Sequence, residues 1–350
     1  MSRYGGLVLA TRIRWWCGRL TDMLAVTAPE PGGPEQLTTT ERPTPEPAAG
    51  EALVRVVAAG VNRADLLQRQ GHYPPPPGAS DVLGMECSGN VAALGSEAVD
   101  GRWTVGDPCL ALLASGGYAE QVAVPVGQLL TPPDGVDLIT AAGLVEVAAT
   151  VVSNVDVAQV GAGDLVLVHG GAGGIGSMAV QYAKALGAVV VTTAGSTDKL
   201  DYCRSIGADL AVSYRDDWVT AVQELSGGRG ADVILDVMGA KYLEQHVELL
   251  ATGGRLVVIG LQGGTKATLD LGRLLRVRGR VIATTLRSRP IEEKAAICRR
   301  VEEAIWPLLG DGSIAPAPQT RFALSDVVAA HRHLESGDNL GKVVLTVSST

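Results

Sequence analysis

Aromatic residues and cysteine are scarce in this 350-residue chain, and several signatures of catalysis are missing. Its five cysteines form no C-x-x-C pair, which argues against a zinc ribbon or a thiol-redox site. No G-x-S-x-G motif and no G-x-x-x-x-G-K motif occurs, and no tyrosine is followed four residues later by lysine. The five histidines show no strong ligand spacing. We therefore expect no metal, and the unpaired cysteines favour a reducing, cytoplasmic compartment.

The chain has fewer basic than acidic residues, which gives a formal net charge of −8 and a pI near 5.2. This balance makes nucleic acid an unlikely partner. The uncharged stretch 165–183 has the length of a membrane span, but its glycines indicate a buried strand and helix instead. Residues 1–22 contain four arginines and one acid, and we expect an N-terminal extension there, with Met23 as the working start.

The most informative segment is 164–199, where a short apolar strand is followed by glycines and then by a helix-period run. Gly171, Gly173 and Gly176 fit G-x-G-x-x-G in the strand–turn–helix context that this motif requires. Glycines let the backbone approach a pyrophosphate, whose charge is met by amide groups at a helix N-terminus. A second strand follows at Val189–Thr193. The segment therefore predicts a dinucleotide-binding site.

The end of that second strand predicts which cofactor is bound. An acidic residue commonly stands there when a free ribose 2′-hydroxyl is selected. This chain has Ala194, Gly195 and Ser196, with Lys199 shortly after. An ammonium about 4 Å from a 2′-phosphate contributes roughly 1–4 kcal/mol. NADPH is therefore favoured over NADH, although Lys199 could also be a solvated lysine at the start of a helix.

Length and patterning predict two domains in an α/β protein. From residue 164 onward, six apolar strands alternate with helices, which is typical of a doubly wound parallel sheet. Short strands separated by glycine and proline precede it and indicate a small β-barrel-type domain. The predicted divisions are an extension at 1–22, a catalytic domain at 23–147, a cofactor domain at 148–290 and a return to the first domain at 291–350.

The segment Asn62–Tyr73, followed by Pro75-Pro76-Pro77-Gly78, resembles the zinc-free quinone oxidoreductases of the medium-chain dehydrogenase/reductase superfamily, nearest to the tumour-suppressor-inducible branch. The similarity continues through Leu83–Glu86, the glycine loop, Leu286–Arg289 and Asn339–Val343, covering about residues 23–347. It implies a GroES-like first domain and a Rossmann second domain. Asn62 and Met85 stand where zinc-dependent relatives have a cysteine and a histidine, and neither supplies a thiolate or imidazole.

The resemblance also implies roles for single residues. Gly173, Gly174, Ile175 and Gly176 would contact the pyrophosphate. The adenosine 2′-phosphate would be surrounded by Gly195, Ser196, Lys199 and Tyr214. The rest of the cofactor would be flanked and covered by Thr150, Gly239, Ile259, Gly260, Leu286, Arg287 and Asn339. Asn62 and Tyr73 would face the nicotinamide and the acceptor, with Tyr73 either orienting the acceptor oxygen or only packing beside the proline run.

These expectations amount to a zinc-independent NADPH:quinone oxidoreductase. Without a Lewis acid, an alcohol is hard to activate, whereas a quinone or conjugated carbonyl accepts hydride unaided. One alternative is an NADPH-dependent alkenal or enone reductase, and another is a non-catalytic NADPH- or RNA-binding protein. Small side chains at Val147, Ala148 and Ala149 leave the acceptor size open. A homodimer is expected, since Val281–Thr284 would otherwise be an exposed edge strand.

Overall fold

Two large sheets organise the part of the chain that the structure describes, residues 22–98 and 101–347 of a computed structural model. The predicted extension lies outside the described residues except for Asp22, which begins the first strand. The early strands are β1 Asp22–Thr27, β2 Thr38–Pro43, β3 Glu51–Val61, β4 Glu86–Leu94, β5 Pro108–Leu112, β6 Gln121–Pro125 and β7 Leu129–Leu130. The early helices are α1 Arg63–Arg69, α2 Leu138–Ala141 and α3 Val145–Ala158.

Strands and helices then alternate. The strands are β8 Leu165–His169, β9 Val189–Ala194, β10 Leu210–Ser213, β11 Ala231–Asp236, β12 Leu250–Val258 and β13 Arg280–Ala283. The helices between them are α4 Gly174–Ala185, α5 Thr197–Ser205, α6 Trp218–Leu225, α7 Leu243–Leu249 and α8 Leu271–Arg276. The chain continues with α9 Ile291–Ala304, α10 Trp306–Gly310, β14 Gln319–Ala323, α11 Val327–Ser336 and β15 Lys342–Thr346.

Strands β8 to β13 form one parallel sheet in the order β10-β9-β8-β11-β12-β13. All five residues of β8 are buried, as expected of a strand covered by helices on both faces. The order reverses between β8 and β11, and ligands bind such sheets in the crevice outside the carboxyl ends at this point. The predicted doubly wound sheet is confirmed.

The other sheet has the order β14-β15-β3-β4-β5-β7, with β6 also paired to β3. It is mainly antiparallel, and the last strand, β15, lies between β14 and β3 in its interior. The GroES-like architecture is confirmed together with the Rossmann-like sheet. The C-terminal segment thus returns to the first sheet, and β14 in it was not predicted from the sequence.

Helix α3 joins the two halves of the protein. Ten of its 14 residues are buried, in a core that also contains residues of β5, α4 and α9. The predicted domain boundary between Val147 and Ala148 therefore falls inside a helix, and the four domain limits stay a prediction. No helix among the described residues combines the length and the apolar character that a bilayer crossing requires.

One limit suggested by the sequence was wrong. Helical periodicity in the sequence runs over 241–251, but α7 ends at Leu249, because Leu250 begins β12 and pairs with Ala231 of β11. The short strands separated by glycines that the sequence indicates over 105–124 are β5 and β6.

Candidate active site

The glycine loop runs from the end of β8 to the start of α4 and bends tightly. A Cβ atom on Gly171 would lie 2.1 Å from Oγ1 of Thr192, and one on Gly176 would lie 2.1 Å from the carbonyl oxygen of Gly170. At Gly173 the nearest atom to a Cβ is that carbonyl oxygen, 3.5 Å away. The first and third glycines are therefore required by packing inside the protein, whereas Gly173 faces open space.

The C-terminal segment reaches this loop. Gly341 donates a hydrogen bond from its amide to the carbonyl oxygen of Ala172 at 2.8 Å, and its backbone pairs with Gly173. The side chain of Asn339 donates to the carbonyl oxygen of Gly341 at 3.2 Å. The structure therefore brings Asn339, predicted to cover the cofactor, beside the predicted pyrophosphate loop.

A cationic patch lies at the carboxyl end of β9. Lys199 donates from Nζ to the carbonyl oxygen of Gly337. The Arg215 guanidinium lies 5.1 Å from the centre of the exposed Tyr214 ring. The Tyr214 hydroxyl lies so close to Gly195 that a Cβ on this glycine would be 2.7 Å from it. The sequence analysis missed Arg215, which donates to the carbonyl oxygen of Gly195. We expect this group of residues to favour a phosphate, because Lys199 and Arg215 provide two cations near the end of β9.

The ends of β11 and β12 complete the edge of the sheet. Asp236 accepts hydrogen bonds from the amides of Met238 and Gly239 at 2.7 and 2.9 Å, which orders the turn at Gly239. Its backbone carbonyl oxygen accepts a hydrogen bond from the amide of Ile259 at 2.8 Å. Gly239, Ile259 and Gly260 therefore lie together at the carboxyl edge, as the resemblance implied.

Near that edge two buried histidines, one at the end of β8 and one in α7, lie within hydrogen-bonding distance of each other. The Nε2 atoms of His169 and His246 are 2.8 Å apart, and His169 Nδ1 lies 3.0 Å from Thr193 Oγ1. Burial lowers the pKa of His169 to about 4 and, together with His169, the pKa of His246 to about 2. Both rings are therefore neutral, and they form part of the support beneath the turn held by Asp236.

In the first sheet, a polar cluster of Asn62, Glu86 and Lys342 is buried where the end of β3 meets the starts of β4 and β15. Asn62 donates from Nδ2 to Glu86 Oε1 at 2.9 Å, and Lys342 Nζ lies 2.7 Å from the same oxygen. Lys342 also donates to Oδ1 of Asn62. The nitrogen and the oxygen of the Asn62 side-chain amide are therefore both hydrogen-bonded, and this side chain fixes the positions of Glu86 and Lys342.

Glu146 adjoins this polar cluster. Its amide donates to Glu86 Oε2 at 2.9 Å, and it precedes Thr150 by one turn of α3. Burial and the nearby Glu86 carboxylate raise the pKa of Glu146 to about 8. Sequence reasoning missed Glu86, Lys342 and Glu146, although Glu86 and Lys342 stand inside two segments that carried the resemblance.

Tyr73 and Arg287 meet at the mouth of the crevice. The guanidinium of Arg287 stacks 5.0 Å from the centre of the Tyr73 ring and donates to the carbonyl oxygen of Tyr73 at 2.9 Å. It also donates to the carbonyl oxygen of Ala114 and to Gln68 Oε1. Arg287 stays predicted to cover the cofactor, and these hydrogen bonds join the loop after β13 to the first domain. The Tyr73 hydroxyl lies 3.5 Å from Thr285 Oγ1.

The remaining predicted residues lie on α3, on α4 and after β13. Thr150 is buried on α3, Leu286 is buried beside Arg287, and Gly174 and Ile175 are half-buried in the first turn of α4. The space at Gly173 and the free amides at the start of α4 fit a dinucleotide pyrophosphate. Among residues 22–98 and 101–347, no three His, Cys, Asp or Glu side chains are arranged to hold a metal ion.

This combination of a glycine-loop parallel sheet and a GroES-like domain defines the class of two-domain nicotinamide-dependent oxidoreductases. Family models agree: an alcohol dehydrogenase GroES-like domain matches residues 48–134, and a zinc-binding dehydrogenase domain matches residues 174–302. A quinone oxidoreductase of Pseudomonas aeruginosa is 31% identical over 317 residues, covering 90% of this chain and 96% of that protein. The chain belongs to the quinone oxidoreductase-like branch of the medium-chain dehydrogenase/reductase superfamily.

Two further similarities extend this result. A mycobacterial protein solved in complex with NADPH is 31% identical, with a TM-score of 0.85 over 93% of this chain and 100% of that one. A phenolphthiocerol/phthiocerol polyketide synthase subunit of Mycobacterium tuberculosis is 31% identical over 320 residues. The chain spans 91% of its own length in that match but only 14% of the synthase.

Proposed function

We propose that this protein is a zinc-independent oxidoreductase that reduces a quinone with NADPH. The observation that carries the proposal is the polar cluster of Asn62, Glu86 and Lys342. It lies where zinc-dependent relatives hold their metal, and its groups satisfy one another. An acceptor that takes hydride without a Lewis acid suits such a site. The similarity to a quinone oxidoreductase supports the same acceptor class.

The residues of this chain would bind and orient both reactants. The glycine loop would hold the pyrophosphate, and the residues at the ends of β11 and β12 would flank the remaining cofactor. When bound, the cofactor supplies a hydride from its nicotinamide ring. Tyr73 would orient the acceptor oxygen, since its hydroxyl lies at the mouth of the crevice. Among the described residues, Thr285 Oγ1 is the only group within hydrogen-bonding distance of this hydroxyl. The contribution of the protein is proximity and exclusion of water.

The decisive experiment is NADPH oxidation by the purified protein with a panel of quinones and enones, with and without a chelator and again with NADH. Turnover of quinones with NADPH that a chelator leaves unchanged supports the proposal. Loss of turnover on chelation contradicts zinc independence. NADPH binding without any turnover would instead favour a binding protein, including the RNA-binding alternative, which salt-dependent retention on RNA would test.

The cofactor preference has its own prediction. Replacing both Lys199 and Arg215 by alanine removes two cations from the 2′-phosphate site, so NADPH binding should weaken at least about 10-fold while NADH binding changes little. Nicotinamide fluorescence titrations give both dissociation constants. Lys184→Ala is the matched control, because Lys184 pairs with Asp209 at the opposite, amino edge of the same sheet. Equal weakening for both cofactors would contradict the assignment.

A second candidate function is reduction of an alkenal or enone. It is favoured by Glu146, a partly exposed carboxyl group beside the polar cluster whose pKa is raised to about 8. An acceptor that is reduced at a C=C bond requires a proton on carbon as well as a hydride, whereas the anion of a reduced quinone takes its proton from water. Enone turnover well above quinone turnover in the same panel would establish this reading.

We also propose a cytoplasmic homodimer. The four cysteines within the described residues are all buried and unpaired, as a reducing compartment permits. Strand β13 lies at the edge of the parallel sheet, and Val281, Leu271 and Leu275 nearby are exposed, Leu275 by 78%. A second copy pairing on this edge would cover all three. A sedimentation mass equal to the 36.1 kDa of one chain would overturn this proposal.

A further inference from the structure

Glu146 adjoins the polar cluster, and its carboxyl group is unused by the fold. It stands in the first turn of α3, is partly exposed, and no group of the described residues forms a hydrogen bond with its carboxyl oxygens. Its backbone is fixed by the hydrogen bond from its amide to Glu86. Side chains four residues apart lie on the same helix face, so Glu146 shares a face with Thr150, a predicted cofactor contact.

The surroundings of Glu146 favour its neutral form. Five ionisable groups act on it from five different elements: Glu86 on β4, Asp65 on α1, Lys342 on β15, Lys294 on α9 and Arg287 after β13. Lys342 is already paired with Glu86, and Arg287 is engaged by Ala114, Tyr73 and Gln68. Burial is the largest effect and raises the pKa to about 8, so the carboxyl group carries a proton at neutral pH.

We infer that Glu146 donates the proton that completes reduction of a conjugated carbonyl acceptor. The inference rests on the proposed oxidoreductase function and deepens its second candidate. Once the acceptor has gained hydride at its β-carbon, the resulting enolate carries the negative charge. The O–H bond of Glu146 breaks, a C–H bond forms at the α-carbon of the acceptor, and the carboxylate regains a proton from solvent through the open crevice. No other electron donor is needed.

The first test uses 2-methyl-2-cyclohexen-1-one, because protonation creates a stereocentre at its α-carbon. Glu146→Gln should lower kcat for this enone about 100-fold, within the range that a general acid contributes. The residual product should be racemic, whereas the wild-type product has one configuration. Turnover of 1,4-benzoquinone should change less than about threefold, since its reduced anion needs no enzymic acid. Glu146→Asp should retain part of both rate and configuration.

Several results would overturn the inference. They are an unchanged enone rate, retained product configuration in Glu146→Gln, equal loss with both acceptors, and a wild type that reduces the quinone but no enone. A wild type that oxidises NADPH with neither acceptor would instead refute the proposed function itself. Glu224→Gln, an exposed glutamate on α6, is the matched control and should change nothing.

A second readout needs neither cofactor nor turnover. The folded-state pKa of Glu146 lies above its ordinary value of 4.5, so the folded protein binds more protons than the unfolded chain and stability falls as pH rises toward 8. Between about pH 7.5 and 8 the histidines are neutral in the unfolded chain as well as in the folded protein, so their opposing contribution is small and Glu146 should dominate this slope. Thermal denaturation should show the decline in the wild type and in Glu224→Gln, and its absence in Glu146→Gln. An unchanged slope in Glu146→Gln would overturn the protonation state on which the inference depends.

Discussion

Gly176→Ala should abolish measurable NADPH binding and destabilise the protein by about 1–3 kcal/mol, the usual cost of forcing atoms into a packed interior. The added Cβ would lie 2.1 Å from the carbonyl oxygen of Gly170 and 2.7 Å from the Cα of Gly171, so the backbone of the loop must move. Any such shift misplaces the amides that would meet the pyrophosphate. Fluorescence titration and urea denaturation measure the two effects.

Two other glycines separate binding from stability. A Cβ on Gly173 meets only one atom, at 3.5 Å, so Gly173→Ala should keep the fold and weaken NADPH binding alone. Gly310 has open space around it, and Gly310→Ala should change neither quantity. Normal NADPH affinity in both Gly173→Ala and Gly176→Ala would remove the glycine loop from the cofactor site.

Lys342→Met should destabilise the protein by about 3–5 kcal/mol, because it leaves the fully buried Glu86 carboxylate without its cation. Methionine keeps much of the length of the side chain, so lost packing contributes little. Urea denaturation of the apoprotein provides the measurement.

Two further variants test the cause. Glu86→Gln in the Lys342→Met background removes the unpaired charge and should recover much of the stability, since replacing both members of a buried pair costs far less than removing one. Arg300→Met breaks an exposed pair with Asp156 and should cost no more than about 1 kcal/mol. If Lys342→Met lowers the free energy of unfolding as little as Arg300→Met does, the polar cluster does not stabilise the fold.

The strands, turns and helices that are determined by residues close together in the chain could be predicted from the sequence. The fully buried strand Leu165–His169, the glycines after it and the helix that follows interact within about 30 residues, and the parallel sheet followed from repeating that pattern. The cationic end of β9 was anticipated from Lys199, although Arg215 was missed because it lies beyond the next strand. At Leu250, helix α7 gives way directly to strand β12, but the helical periodicity of the sequence continues past this residue. The predicted end of the helix was therefore too late.

Pairs distant in sequence could not be predicted. Asn62 and Lys342 are 280 residues apart, so nothing local showed that the Asn62 amide is occupied by Lys342 and Glu86. Arg287 likewise contacts Tyr73 from 214 residues away, and only the fold shows that its guanidinium joins the domains. The raised pKa of Glu146 arises from burial between elements, a property that no stretch of sequence displays by itself.

Strand β15 imposes an order on biosynthesis. It pairs with β3 in the interior of the first sheet, yet it is translated only after all the strands of the parallel sheet. The parallel sheet, by contrast, is contiguous in the chain from β8 to β13. Until β15 has been translated, the first sheet therefore keeps an open edge at β3 and Glu86 lacks its partner Lys342. The parallel sheet can fold as a unit before then. Chaperone dependence should accordingly concentrate in the N-terminal half.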